Sequence, residues 1–155
     1  MNSNLLKAIL AMDSYNRGYD QGIKLSNTSD SLGLKVGNAT IVRESDIATG
    51  SVGVSAGFYG IAYKLASGEK VISYRGTDNT NLLTGDPATG WGLGGGSTSN
   101  AQGEMAIKFY QSVAGAGSAN WLGANISLTG HSLGGGLAGL VGENDNFNIT
   151  KSQVM

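Results

Sequence analysis

Apolar residues open the chain at helical spacing. Leu5, Leu6, Ile9, Leu10 and Met12 predict an amphipathic helix, capped by Asn2 or Ser3, that packs on a domain. From residue 16 to residue 56 the pattern dissolves into Gly, Ser, Asn and Thr. Two short β-like runs, 32–36 and 39–43, stand out there and read as loop with irregular strand. Residues 57–65 then predict a strand, 66–69 a turn and 70–75 a second strand, which together make a hairpin. Ser99 with Gln102 forms a capping box for a helix that places Met105, Phe109 and Val113 on one face, and Gly115 and Gly117 stop it. A strand at 125–129 and a helix of small residues follow. Strand, helix, strand in that order is a parallel crossover, so the fold class is α/β.

Composition narrows the function. An apolar fraction of 40% over 155 residues suits one domain with an ordinary core. Ten Lys and Arg against 11 Asp and Glu, with no basic run, leave no electrostatic footprint for nucleic acid. Cysteine is absent, which removes thiolate chemistry and disulfides and leaves the redox compartment open. A single histidine and no paired carboxylate-histidine spacing argue against a catalytic metal, and no cofactor is expected. The N-terminal apolar stretch is broken by Lys7 and followed by Asp13 without a small-residue cleavage site, so it does not read as a signal peptide. No apolar run is long enough for a transmembrane segment, and the chain is expected to be soluble or peripheral, its compartment unknown.

The chemistry concentrates in Gly130-His131-Ser132-Leu133-Gly134, between the strand and the small-residue helix. A strand that reverses sharply into a helix has no room for a β-carbon two residues before or after the turning residue, and Gly130 and Gly134 occupy those positions. Such an elbow lifts the Ser132 hydroxyl into solvent, with the next N–H and the helix N-terminus facing an oxyanion. Gly53-Val-Ser55-Ala-Gly57 matches the same expression, but no strand precedes it, and it reads as a Gly-rich turn. The Gly-rich connection between Thr77 and Asn100 carries Leu82, Leu83, Trp91 and Leu93, residues suited to a lid; a Gly/Ser linker is the alternative. Gly134-Gly-Gly136-Leu-Ala-Gly139 also matches a dinucleotide-binding pattern. That pattern wants its first glycine closing the strand and an acidic residue about 20 positions further on, and neither is present.

Three segments in this order, Ala-Met-Asp-Ser-Tyr-Asn-Arg-Gly-Tyr, Val-Ile-Ser-Tyr-Arg75-Gly76-Thr77-Asp78 and Leu-Thr-Gly130-His131-Ser132-Leu133-Gly134-Gly135, resemble the class 3, or fungal-type, lipases of the α/β-hydrolase superfamily. The resemblance covers nearly the whole chain. It implies an α/β-hydrolase-like, mostly parallel sheet with helices, incomplete at its C-terminal side, with residues 1–142 as a partial domain and 143–155 as a polar tail. It also implies a triacylglycerol-lipase-like hydrolase of carboxylic esters that works on lipid esters or at a lipid-water interface. Ser132 would be the nucleophile, and the oxyanion hole would come from the Leu133 N–H and the backbone and hydroxyl of Thr77, with Asp78 or Asp86 holding that loop.

In that family the catalytic acid and histidine follow the elbow. Here the sole histidine is His131, whose position beside Ser132 on a tight turn points it away from the serine oxygen, and Asp145 reads as a solvated turn residue. The expectation is therefore a lipase-type domain that stops after its elbow. Two readings stay open: an enzyme, or an impaired or inactive fragment that binds lipid or a partner only. The strand at 125–129 is expected to carry an unpaired edge through which the chain self-associates.

Overall fold

A computed structural model describes residues 3–19, 33–46, 48–76, 101–115 and 125–143. It shows an α/β protein in which a mixed sheet of five strands is packed between helices. In chain order the elements are α1 (Ser3–Asp13), a 3-10 turn (Ser14–Asn16), β1 (Lys35–Val36), β2 (Ala39–Glu44), α2 (Val52–Ser55), β3 (Gly60–Leu65), β4 (Lys70–Tyr74), α3 (Ala101–Ala114), β5 (Ile126–Gly130) and α4 (Leu133–Glu143). The spatial order of the strands is the chain order.

A mostly parallel sheet was the expectation, and the described strands correct it. β1 with β2, β2 with β3 and β3 with β4 pair antiparallel, and only β4 with β5 pairs parallel. Connection length explains two of the antiparallel pairs and the parallel one; β2 and β3 are joined through residues 45–59 and α2 and pair antiparallel without a tight link. Gly37 and Asn38 join β1 to β2, with Gly37 at φ +59°, and residues 66–69 join β3 to β4, with Gly68 at φ +87°. Links so short can only return a strand antiparallel, whereas the β4 to β5 connection contains α3 and can carry the chain back to the same end. β2 holds a bulge between Ile41 and Arg43, and Val42 there is turned outward.

Period two sorts the β3 and β4 side chains between two layers. Tyr59, Ile61, Tyr63 and Val71 meet Leu6 and Leu10 of α1 on one face. Phe58, Ala62, Ile72 and Tyr74 meet Ala106, Phe109 and Val113 of α3 and Leu137 and Val141 of α4 on the other. β5 is buried on both faces: Ile126 and Leu128 join the α3/α4 layer, while Ser127 and Thr129 face α1. There the Lys7 ammonium donates to Ser127 Oγ at 3.0 Å and pairs with Glu69 at 3.5 Å, and Thr129 Oγ1 donates to the Lys7 carbonyl. α1 is thus fastened to the sheet at Lys7 by polar contacts of both its side chain and its carbonyl.

Three details depart from the sequence reading. On α1 only Leu6 and Leu10 of the expected stripe are buried, and Leu5, Ile9 and Met12 are 55%, 39% and 43% exposed. A helix turns about 100° per residue, so the stripe that packs on a flat sheet is too narrow for all five. Ser55 ends a short helix, α2, capped by Ser51 Oγ on the Val54 N–H, and not a Gly-rich turn. Gln102 is 1% exposed and sends its amide to the Ala56 carbonyl at 2.6 Å, tying α3 to the α2 end. Its expected capping partner Ser99 lies outside the described residues. Met105, Phe109 and Val113 do share the inner side of α3, which ends at Gly115 with φ +99°.

Candidate active site

β4 and β5 end side by side, Tyr74 opposite Gly130, and the chain leaves β5 directly into the turn that begins α4. At that turn Ser132 has φ +57°, the only non-glycine residue with positive φ among the described residues. A serine gains nothing locally from this conformation, which L-residues enter at a cost of about 1–3 kcal/mol. The surroundings hold it there. The Gly134 N–H bonds the His131 carbonyl at 3.0 Å, and the Gly135 N–H bonds the Ser132 carbonyl at 2.9 Å.

Packing explains both flanking glycines. A β-carbon on Gly130 would collide with the Gly134 carbonyl and lie 2.8 Å from the Gly135 nitrogen. One on Gly134 would collide with the Tyr74 carbonyl oxygen and lie 3.0 Å from the Arg75 carbonyl carbon. The first turn of α4 therefore sits directly on the ends of β4 and β5. Ser132 itself is exposed, and among the described residues its hydroxyl has no hydrogen-bond partner. Leu133 follows as the first residue of α4, where a helix leaves backbone N–H groups without intrahelical acceptors.

The strand end beside Ser132 is held by the segment after α1, a partner that sequence reasoning did not assign. Arg75 is 1% exposed and donates to the carbonyls of Arg17 at 3.1 Å and Tyr19 at 2.6 Å. Its guanidinium lies over the rings of Tyr19 and Tyr59 at 4.4 and 4.8 Å. Below it, the Arg17 guanidinium pairs with Asp13 at 2.5 Å, and Tyr63 donates to the same carboxylate oxygen at 2.7 Å. Burial, and after it the Asp13 charge, pushes the Tyr63 hydroxyl far above its ordinary range; burial followed by Glu44 does the same to Tyr59. Tyr15 projects from this segment to the elbow. Its hydroxyl accepts the Gly76 N–H at 3.0 Å and stands 3.3 Å from Nδ1 and 3.4 Å from the carbonyl oxygen of His131.

His131 is exposed and turned to Tyr15, ring edge to ring face, with centroids 5.9 Å apart. Gly130, Ser132, Leu133 and Gly134 are thus brought together. Thr77, Asp78, Asp86, Leu82, Leu83, Trp91, Leu93 and Asp145 lie outside the described residues. Gly136 and Gly139 fall inside α4, not at a strand end, so the dinucleotide pattern is a run of helical small residues. A cavity of about 730 Å³ opens beside α3, lined by Glu44, Val52, Phe58, Met105, Lys108 and Phe109 among others; neither Ser132 nor Tyr15 lines it. Among the described residues there is no cluster of three metal-ligating side chains, and no helix is long and apolar enough to cross a membrane. In comparisons with known proteins, no family and no curated protein matches the chain.

Proposed function

We propose that the chain is built around a serine nucleophile for acyl transfer, on an α/β-hydrolase-like scaffold of the class 3 lipase kind, with a triacylglycerol or similar lipid ester as substrate. The observation that carries this reading is Ser132 at φ +57° between two glycines that cannot hold a β-carbon. A turn so costly, presenting an exposed hydroxyl at a helix N-terminus, suits attack on a carbonyl carbon. Ser132 Oγ would bond to that carbon and lose its proton, the carbonyl oxygen would take the negative charge, and the Leu133 N–H would receive it. The ester C–O bond would then break, the leaving oxygen taking up the proton given up by Ser132 and departing as the alcohol, and water would hydrolyse the acyl-serine to the free acid and restore the Ser132 hydroxyl. Thr77, two residues beyond Arg75, is the natural second oxyanion donor, and Leu82, Leu83, Trp91 and Leu93 suit a lid over the acyl chain.

One observation favours the second reading, a lipid-binding domain of impaired activity. The sole histidine is engaged with Tyr15, and no described base bonds the Ser132 hydroxyl. Without a base, oxyanion stabilisation and binding alone leave about 10³ to 10⁴ over water. Hydrolysis of a short-chain p-nitrophenyl ester tests both. The nucleophile reading predicts p-nitrophenol release above that residual level, which Ser132→Ala removes, and release above it that is equal in Ser132→Ala contradicts the reading. Release limited to that residual level, with binding to lipid vesicles retained, selects the impaired form.

A further inference from the structure

Gly76, Tyr15 and the elbow meet at one point, although Tyr15 and His131 are 116 residues apart. A β-carbon on Gly76 would collide with the Tyr15 hydroxyl, lie 2.5 Å from the His131 carbonyl oxygen and 3.2 Å from Ser132 Cβ. Three chain segments are therefore in contact beside the nucleophile, and the Tyr15 hydroxyl is a polar group that bridges them. The Tyr15 ring contributes the edge contact with His131, which a phenylalanine would keep. The hydroxyl alone accepts the Gly76 N–H, and the last described β4–β5 pair is already behind it at Tyr74 and Gly130. That hydrogen bond fixes the plane of the peptide between Arg75 and Gly76, from which the chain continues to Thr77.

We infer that Tyr15 is a positioning residue of the Ser132 site: its hydroxyl holds Gly76, where the chain leaves β4, against the elbow, and so keeps Ser132 and the Leu133 N–H fixed relative to the strand ends. The inference rests on the proposed nucleophile. It assigns Tyr15 no bond making or breaking, and its effect reaches the reaction through the Gly76 peptide. A misplacement near 1 Å at a reacting centre costs up to about 100-fold in rate, which sets the scale.

The test is the kinetics of inactivation by a fluorophosphonate in wild type and Tyr15→Phe, with the Gly76 amide followed by NMR. The inactivation rate constant at saturation should fall between about 10- and 100-fold in Tyr15→Phe while the half-saturating concentration stays constant. The Gly76 amide resonance should move, and its hydrogen exchange should quicken, with the melting transition retained. In wild type that amide should exchange slowly; fast exchange there overturns the inference without any variant. Equal inactivation of wild type and Tyr15→Phe overturns it while leaving the nucleophile intact. No labelling of Ser132 in wild type removes the nucleophile and the inference together.

Discussion

At the residue scale, the elbow is where sequence and structure agree most closely, because its constraints are local. Gly130, Ser132 and Gly134 lie within five positions, and each constraint is a steric fact about a tight turn. Ala at Gly134 must displace the Tyr74 carbonyl, so Gly134→Ala is expected to cost about 1–3 kcal/mol or more. Gly33, with nothing within 4 Å of an added β-carbon, gives the contrast: Gly33→Ala should stay within about 0.5 kcal/mol. Urea denaturation of the two variants checks this, and equal stabilities would mean that the α4 turn does not press on β4. Tyr15 and Arg75 stand in the segments that carry the lipase resemblance, but their roles were not legible in sequence. Each acts through a partner more than 50 residues away, and nothing in the local pattern around Tyr15 distinguishes it from Tyr19.

Among the elements, β3, β4 and α3 were legible because periodicity and turn residues mark them independently of context. The inward face of α1 was not, since five large apolar residues between positions 5 and 12 fit a wide stripe and only the sheet decides which are covered. The antiparallel pairing of β1 with β2 and of β3 with β4 followed from their short links, whereas that of β2 with β3 did not, and the elbow motif gave no information about β1 to β3. The fastening of α1 to the sheet yields a prediction at this scale. Lys7 and Glu69 side chains are 14% and 20% exposed, so Glu69→Gln, which leaves the ammonium without its carboxylate, should cost about 1–3 kcal/mol. A change near zero would mean that the Lys7–Glu69 pair adds nothing to the docking of α1. The buried tyrosines supply a second prediction. Tyr59, Tyr63 and Tyr74 are held neutral far above their ordinary pKa of 10.0, chiefly by burial, whereas in the unfolded chain they ionise near it. Their contribution is therefore complete below pH 10 and is lost as pH rises beyond it. Phenolate absorbance and loss of the fold should rise together in an alkaline titration. Full ionisation near pH 10 with the fold intact would contradict that burial.

At the scale of the whole molecule, the sheet has unequal edges. β1 is two residues long and bears Lys35, a short charged edge of the kind that resists pairing. β5 is five residues, fully buried on its faces, and among the described residues only β4 pairs with it. The chain is expected to self-associate through that side, and sedimentation at micromolar concentration should show a dimer or larger species. A monomer with a single cooperative melt would mean that other parts of the chain cover β5. The candidate site stands at the neighbouring sheet end, and its identity rests on one atom, Ser132 Oγ. Peptide mapping of the chain after fluorophosphonate treatment tests that atom directly, because Ser55 offers the same sequence expression on α2 without the elbow. The adduct should be found on Ser132 and be absent from Ser132→Ala; an adduct on Ser55, or one spread equally over several serines, would contradict the nucleophile.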